Sequence, residues 1–451
     1  PDSSRVCGPT ALLSAASVQL IPSWLSCFSR PNCNLPATLL VNKLQVSEKT
    51  LHYGATNPVD SSEQSFSAHF CALHCYLSSA RNDSMRRKLT LLSLAFLATI
   101  TMSPQLARVN AAELYGLKKG TVDLQSGGPL AFGPSGILFI GDPQAAKIYA
   151  VNTEDAKTTG DSFEVKNLEG KISSALNVDQ VIIADLAVNP ETGNAFLSVT
   201  ADGKTGIIRV SPDGSVTPLN LEKIANSSVN LPNAPEDKVV QRGRRKSNPR
   251  SNSITDLAYT AGRILVAGLA AGEAPSSVRE FDFPFTKSGE GFRVEIFHAA
   301  HGRSEDYSPI QTFVPFNIGG EPSLLAGYTC TPLVKIPITK LANQDKIQGT
   351  TIAELGNRNR PLDMIVYSQH GKAFVLMANS ARGVMKISTE NIENAKALTE
   401  RVSNGGVAGQ SYETIDALNG VVQLDKLSDT HALVVIQPDK GPMTLKSVQL
   451  P

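Results

Sequence analysis

Tryptophan is almost absent from this chain of 451 residues, Trp24 being the only one. That excludes a tryptophan-derived quinone from everything downstream of it. Cysteine is also scarce: Cys7, Cys27, Cys33, Cys71 and Cys75 precede residue 85, and only Cys330 follows. The long C-terminal part therefore cannot form an internal disulfide and must be stabilised by core burial. No Cys-x-x-Cys-His occurs, which excludes covalent haem attachment, and no Gly-x-Ser-x-Gly nucleophile elbow occurs. Long hydrophobic runs are missing too, since Leu89–Thr101 is shorter than the roughly 20 residues a membrane span needs. Nor does one sign of charge dominate. Lys+Arg number 42 and Asp+Glu 41, for a net charge of +1, which provides no global field for nucleic acid.

Residues 1–84 read as foreign to the rest, rich in Ser and Pro and without sustained periodicity. Cys71 and Cys75 flank His74, but with no second pair this is not a zinc motif. At Met85 the chain changes character. Met85-Arg86-Arg87-Lys88, the apolar run to Thr101 and the small residues Val109-Asn110-Ala111-Ala112 have the layout of a secretory signal peptide. The expected organisation is a spurious or disordered extension over 1–84, a signal peptide over 85–111 and a folded domain over 112–451. The product is expected to be secreted or periplasmic, with no membrane span.

Six segments of that domain share one pattern of apolar strand, turn, apolar strand, polar hairpin and third strand. They run Pro129–Asn152, Ala184–Ser211, Thr255–Phe283, Val314–Ile338, Leu362–Ser388 and Gln423–Val448. β-Branched runs such as Gly206-Ile207-Ile208-Arg209-Val210 and the Asp202-Gly203 turn carry the strand assignment. The fold class expected is all-β, a propeller of about six blades, in which radial closure protects the strand edges. GILFIGDPQAAKIYAVN and GIIRVSPDGSV resemble the YVTN/NHL/SMP-30 type of propeller, including quinoprotein amine dehydrogenase beta-chain-like subunits. The resemblance implies the fold. Its members include lactonases, redox subunits and binding scaffolds, so it implies no single function.

Three groups of residues carry candidate chemistry. Asp185, Asp256, Asp363 and Asp425 recur at the starts of inner strands. They would either ring the channel mouth, as ligands for Ca²⁺ or a polar substrate, or fix a turn by bonding to backbone. Their recurrence favours the structural role. In Phe292–Pro315, His298 and His301 stand i, i+3 and would share a face in a helical turn, with Glu305 in reach and Cys330 able to join. That set suits Zn, Mn or Fe, so a divalent metal is the one cofactor considered. The third group is the basic run Arg242-Gly243-Arg244-Arg245-Lys246, with Arg250, in the insertion Asn230–Asn252. If this insertion and the irregular stretch Phe283–Phe313 converge on one face, Arg242, Arg244, Arg245 and Arg250 join His298, His301 and Arg303 in a cationic cluster. Such a cluster suits a small anionic ligand, a glycan or a protein partner. The expected function is an exported ligand- or protein-binding scaffold acting through channel-mouth loops. The alternative is a metal-dependent lactonase or hydrolase using the channel or the His298/His301 loop.

Overall fold

A computed structural model describes residues 111–451, apart from 158–159, 161, 243–244, 287–290 and 340–345. The extension over 1–84, nearly all of the signal-peptide segment and Arg244 lie outside the described residues. The six sequence repeats each form the inner three strands of one antiparallel sheet, and the sheets are arranged as a six-bladed β-propeller. We number the blades I to VI in chain order. Their inner strands are Leu130–Phe132, Val181–Val188, Asp256–Thr260, Ile310–Ile318, Pro361–Gln369 and Val421–Lys426. Second strands such as Ile137–Asp142 are buried on both faces, which is why they read as continuous apolar runs rather than alternating ones. At Asp202-Gly203 both residues have positive φ, the geometry a two-residue hairpin turn requires.

The blades do not follow chain order around the ring. Inner strands touch in the order I, III, IV, V, VI, II and back to I. Each neighbouring pair encloses one apolar core. Phe139 of blade I packs with Val266 of blade III, Leu197 of II with Leu433 of VI, and Ile140 of I with Phe196 of II. Blade II thus sits between I and VI, both of which are composite. Blade I takes its fourth strand, Ile224–Asn230, from the chain that follows blade II. Blade VI takes its fourth, Glu164–Lys166, from the chain that precedes blade II. This explains the 71-residue separation of Asp185 and Asp256, since a strand of blade I lies within it. Asp155, on the segment crossing blade II, accepts hydrogen bonds from Asn189 Nδ2 (3.0 Å), Asn194 Nδ2 (2.9 Å), the Thr192 hydroxyl (2.5 Å) and Arg209 (3.2 Å).

The recurring aspartates are latches between blades. Asp185 of blade II accepts the Leu130 N–H of blade I (2.6 Å). Asp256 of III accepts Phe313 N–H of IV (2.7 Å), Asp363 of V accepts Leu424 N–H of VI (2.8 Å), and Asp425 of VI accepts Val188 N–H of II (2.7 Å). In Asp256, Asp363 and Asp425 the second oxygen accepts the N–H of the following residue. The structural role expected from recurrence is therefore borne out in kind. Its bonds reach across to the next blade as well as along the local turn. Burial pushes these carboxyls up, Asp256 to about 7 and Asp425 to about 6, against the backbone bonds that favour the ion. Asp185 and Asp363 lie well above the usual range, from burial and from the other aspartates of the ring.

The insertion before blade III is anchored by a buried cation that the sequence reading passed over. Arg279, 1% exposed, donates to the carbonyls of Pro232 (3.2 Å), Ser253 (3.4 Å) and Leu269 (2.9 Å). Burial and the nearby Arg293 lower its guanidinium to about 10. Between Pro232 and Ser253 the insertion forms a hairpin, Val240–Arg242 paired with Arg245–Ser247, and a short 3-10 turn at Pro249–Asn252. It is less irregular than the sequence suggested.

Two outcomes follow. An aspartate raised from 3.8 toward 7 binds its proton more tightly in the folded state, so its contribution to stability falls as pH rises between about 4 and 7. Urea unfolding midpoints should decline over that interval, and Asp256→Asn should flatten the decline while lowering stability by about 1–3 kcal/mol at its lower end. Equal slopes in both proteins would contradict the assignment. Arg279→Met should leave three carbonyls without their donor and speed tryptic cleavage in the Arg242–Lys246 run. An unchanged cleavage rate would contradict the anchoring role.

Candidate functional site

Two places on the propeller gather chemically capable side chains, and both belong to the face where the inner strands begin. The first is the channel. At that face its mouth is a cavity of about 360 Å³ lined by Asn252, Thr255, Gln311, Arg360 and Gln423. Below it, Asp185, Asp256 and Asp363 are shared with a second cavity of about 420 Å³ that opens toward the other face between Phe132, Tyr259 and Ile365. The aspartates therefore form the waist of the channel, with most of their oxygens already accepting backbone hydrogen bonds. Two buried atoms of residues that line the mouth, Thr255 Oγ1 and Gln423 Oε1, have no partner among the described residues. Gln423 Nε2 is bonded to the Ala184 carbonyl (3.1 Å), which fixes the amide so that its oxygen is the free end.

The second place is the outer hairpin of blade III. The sequence reading treated Phe283–Phe313 as irregular. The structure corrects this, with strands Gly291–His298 and Arg303–Glu305 joined by a tight turn. Residues Phe292, Val294, Ile296 and His298 all point inward, an alternation present in the sequence itself. His298 and His301 meet through this turn rather than through a helix. Gly302, at φ +69°, donates to the His298 carbonyl (2.8 Å), and the two imidazole centroids are 3.9 Å apart.

Glu305 organises the pair. Its carboxylate is 2.9 Å from His298 Nδ1 and 2.7 Å from His301 Nδ1, and Arg303 Nε donates to it at 3.0 Å. Burial would raise this carboxyl, but donors from Tyr307, both histidines and Arg303 outweigh it and hold the group down at about 2. An ionised Glu305 only accepts. The shared hydrogens are therefore imidazole hydrogens, and Nε2 is the ring atom left to other partners. His298 is 3% exposed. Burial lowers its pKa despite the Glu305 bond, and its Nε2 has no partner among the described residues. Across the blade boundary, Cys330 sits in the turn between Glu321–Tyr328 and Pro332–Pro337 of blade IV, its N–H donating to the Asn359 carbonyl (2.7 Å). One nitrogen from each imidazole and Cys330 Sγ lie within 4.8 Å of one another, a cluster that could hold a metal. Glu354 of blade IV, missed by the sequence reading, is buried beneath. One oxygen accepts the Ala300 N–H (3.0 Å) and the other has no partner among the described residues. Burial raises this carboxyl to about 7.

The expected cationic cluster is only partly assembled. The insertion and the histidine hairpin do emerge on one face, and each bonds to the turn at 270–276. Ala271 N–H donates to the Asn233 carbonyl (2.7 Å) and Ser276 N–H to the Asp306 carbonyl (2.9 Å). That turn lies between them. Arg303 is committed to Glu305 and, at 2.8 Å, to the Tyr307 hydroxyl. Arg250 is half-buried in the 3-10 turn, and the side chains of Arg242 and Arg245 lie outside the described residues.

No protein-family model matches the chain, and no curated protein matches its sequence. Among solved structures it is similar to the extracellular domains 1–2 of Drosophila semaphorin 1b, with 10% identity and a TM-score of 0.34 over 74% of this chain and 88% of that one. A streptogramin B lyase gives 9% identity and 0.32 over 74% and 97%. The PQQ-bound aldose sugar dehydrogenase of Streptomyces coelicolor gives 12% and 0.28 over 74% and 96%. Enzymes and binding proteins thus stand side by side among these propellers, and such distant likeness assigns no ligand or reaction to this chain. Its six blades identify it as a β-propeller scaffold.

Proposed function

We propose that this protein is an exported propeller that binds a small, uncharged, hydroxyl-rich molecule at the channel mouth. The observation that carries the reading is the pair of buried, unpartnered atoms there, Thr255 Oγ1 and Gln423 Oε1. A buried polar group without a partner costs free energy that a ligand hydrogen bond recovers. The cavity, at about 360 Å³, falls within the size range of small-molecule sites. Arg360 and Asn252 supply donors at the rim, while Gln311 contributes both a donor and an acceptor. Wherever the carboxylates of the waist are ionised they repel an acidic ligand of the kind anticipated from the basic run. The signal-peptide-like layout of the sequence from Met85 supports placing the protein in the periplasm or outside the cell. The hydrolase alternative draws its support from the His298/His301/Cys330 cluster, formed by the outer hairpin of blade III and a turn of blade IV, none of whose residues lines this cavity.

Thermal unfolding against a panel of neutral sugars and polyols, dicarboxylates and sulfate tests the reading. A neutral member at about 100 times its Kd should stabilise the protein by about 2.7 kcal/mol, a rise of several degrees in Tm. Gln423→Leu and Arg360→Ala should each abolish that rise while leaving the unliganded Tm within a few degrees. A rise confined to the anions, or none with any member, would overturn it.

A further inference from the structure

The outer hairpin of blade III carries an arrangement that neither the fold nor the channel site explains. Two imidazoles lie in contact, with the Nδ1 atoms of both within hydrogen-bonding distance of one carboxylate. For His298 the opposite nitrogen is buried without a partner among the described residues. Nothing in propeller architecture requires two histidines to be oriented in this way. A carboxylate that fixes the tautomer and turns Nε2 outward is the usual outer-shell partner of metal-ligating histidines. Facing them is a single thiol from the next blade, with ligand atoms of all three residues already within 4.8 Å of one another. Bond lengths of about 2.0–2.1 Å to nitrogen and 2.3 Å to sulfur place donors around one ion at only slightly smaller separations. Small rotations of the partly exposed His301 and of Cys330 would close the set.

We propose that His298, His301 and Cys330 form a binding site for a thiolate- and imidazole-preferring divalent metal, with Glu305 as the positioning residue for both rings. The donor set selects the metal class. A thiolate with two imidazoles favours zinc and its neighbours over Ca²⁺, Mg²⁺ or Mn²⁺, which prefer oxygen. Three protein ligands leave a fourth position, and the 40% exposure of the His301 side chain gives water a route to it, the arrangement of reactive rather than purely structural zinc sites. Glu305 takes a different role from the ligand anticipated in the sequence. Its two oxygens face the Nδ1 atoms and are further neutralised by Arg303. The site spans two blades, with histidines from III and cysteine from IV, so metal also ties the hairpin to its neighbour. This inference is independent of the ligand proposed for the channel mouth.

The test uses the folded domain, stripped with a chelator and titrated with Zn²⁺ and, separately, Co²⁺. The site predicts one equivalent of bound zinc and a cobalt adduct showing thiolate-to-cobalt charge-transfer absorption. Cys330→Ser should lose the charge-transfer band, and His301→Ala, at an exposed position, should lose stoichiometric binding, both with unchanged circular dichroism. Glu305→Gln should weaken zinc binding about 10- to 100-fold, a readout that a merely structural carboxylate would not move. Less than stoichiometric zinc, a cobalt spectrum without the thiolate band, or affinity unchanged in Cys330→Ser and His301→Ala would each overturn the proposal.

Discussion

Everything in this molecule depends on closing the ring. A four-stranded blade has two apolar faces and no partner of its own, so each blade is buried only when both neighbours are in place. Each of the six inter-blade cores joins apolar residues of two neighbouring blades, aliphatic and aromatic alike, as with Leu197 and Leu433 or Ile140 and Phe196. Closure is secured on both sides of blade II by strands borrowed from distant parts of the chain. Glu164–Lys166 completes blade VI and Ile224–Asn230 completes blade I. Asp155 fastens the crossing segment to blade II through four donors.

The aspartate latches belong to the same constraint. Around the axis, inner-strand N–H groups such as those of Leu130, Phe313, Leu424 and Val188 find acceptors outside their own sheet. A carboxylate on the inner strand of the preceding blade of the ring supplies each one, which confines several carboxyls near one another. That proximity gives the channel its chemistry: the waist is acidic, and the mouth above it is polar. Farther out, the same face carries the turns of blades III and IV, where a tight hairpin and a neighbouring turn bring two histidines and a cysteine together. Function in both places rests on loops and turns held by a rigid frame.

Much of this was legible from the residues. The strand–turn–strand pattern marked all six blades, because period-two alternation and Asp-Gly or Gly turns are local signals. His298, His301 and Cys330 were also legible as a group by residue type. What could not be read was anything decided by distant pairing. The ring order, the strand that blade I borrows, and the Leu130 and Val188 partners of Asp185 and Asp425 have no local signature. Glu354 and Arg279 look like ordinary strand residues until their burial is known. The Phe292-x-Val294-x-Ile296-x-His298 alternation was a readable signal that the surrounding Gly and Ser obscured. His298 is the fourth inward-facing residue of that strand, which is why it is buried.

Closure of the ring depends on the strand that completes blade VI. Glu164 and Lys446 are both exposed and directly opposed in the pairing of Glu164–Lys166 with Thr444–Gln449. Antiparallel partners have Cα atoms about 4.5–5.5 Å apart, within the span of a disulfide. With Cys330 changed to Ser in the folded domain, Glu164→Cys and Lys446→Cys should cross-link under mild oxidation and raise the unfolding midpoint. A protein that folds but leaves both thiols free would contradict the ring described here.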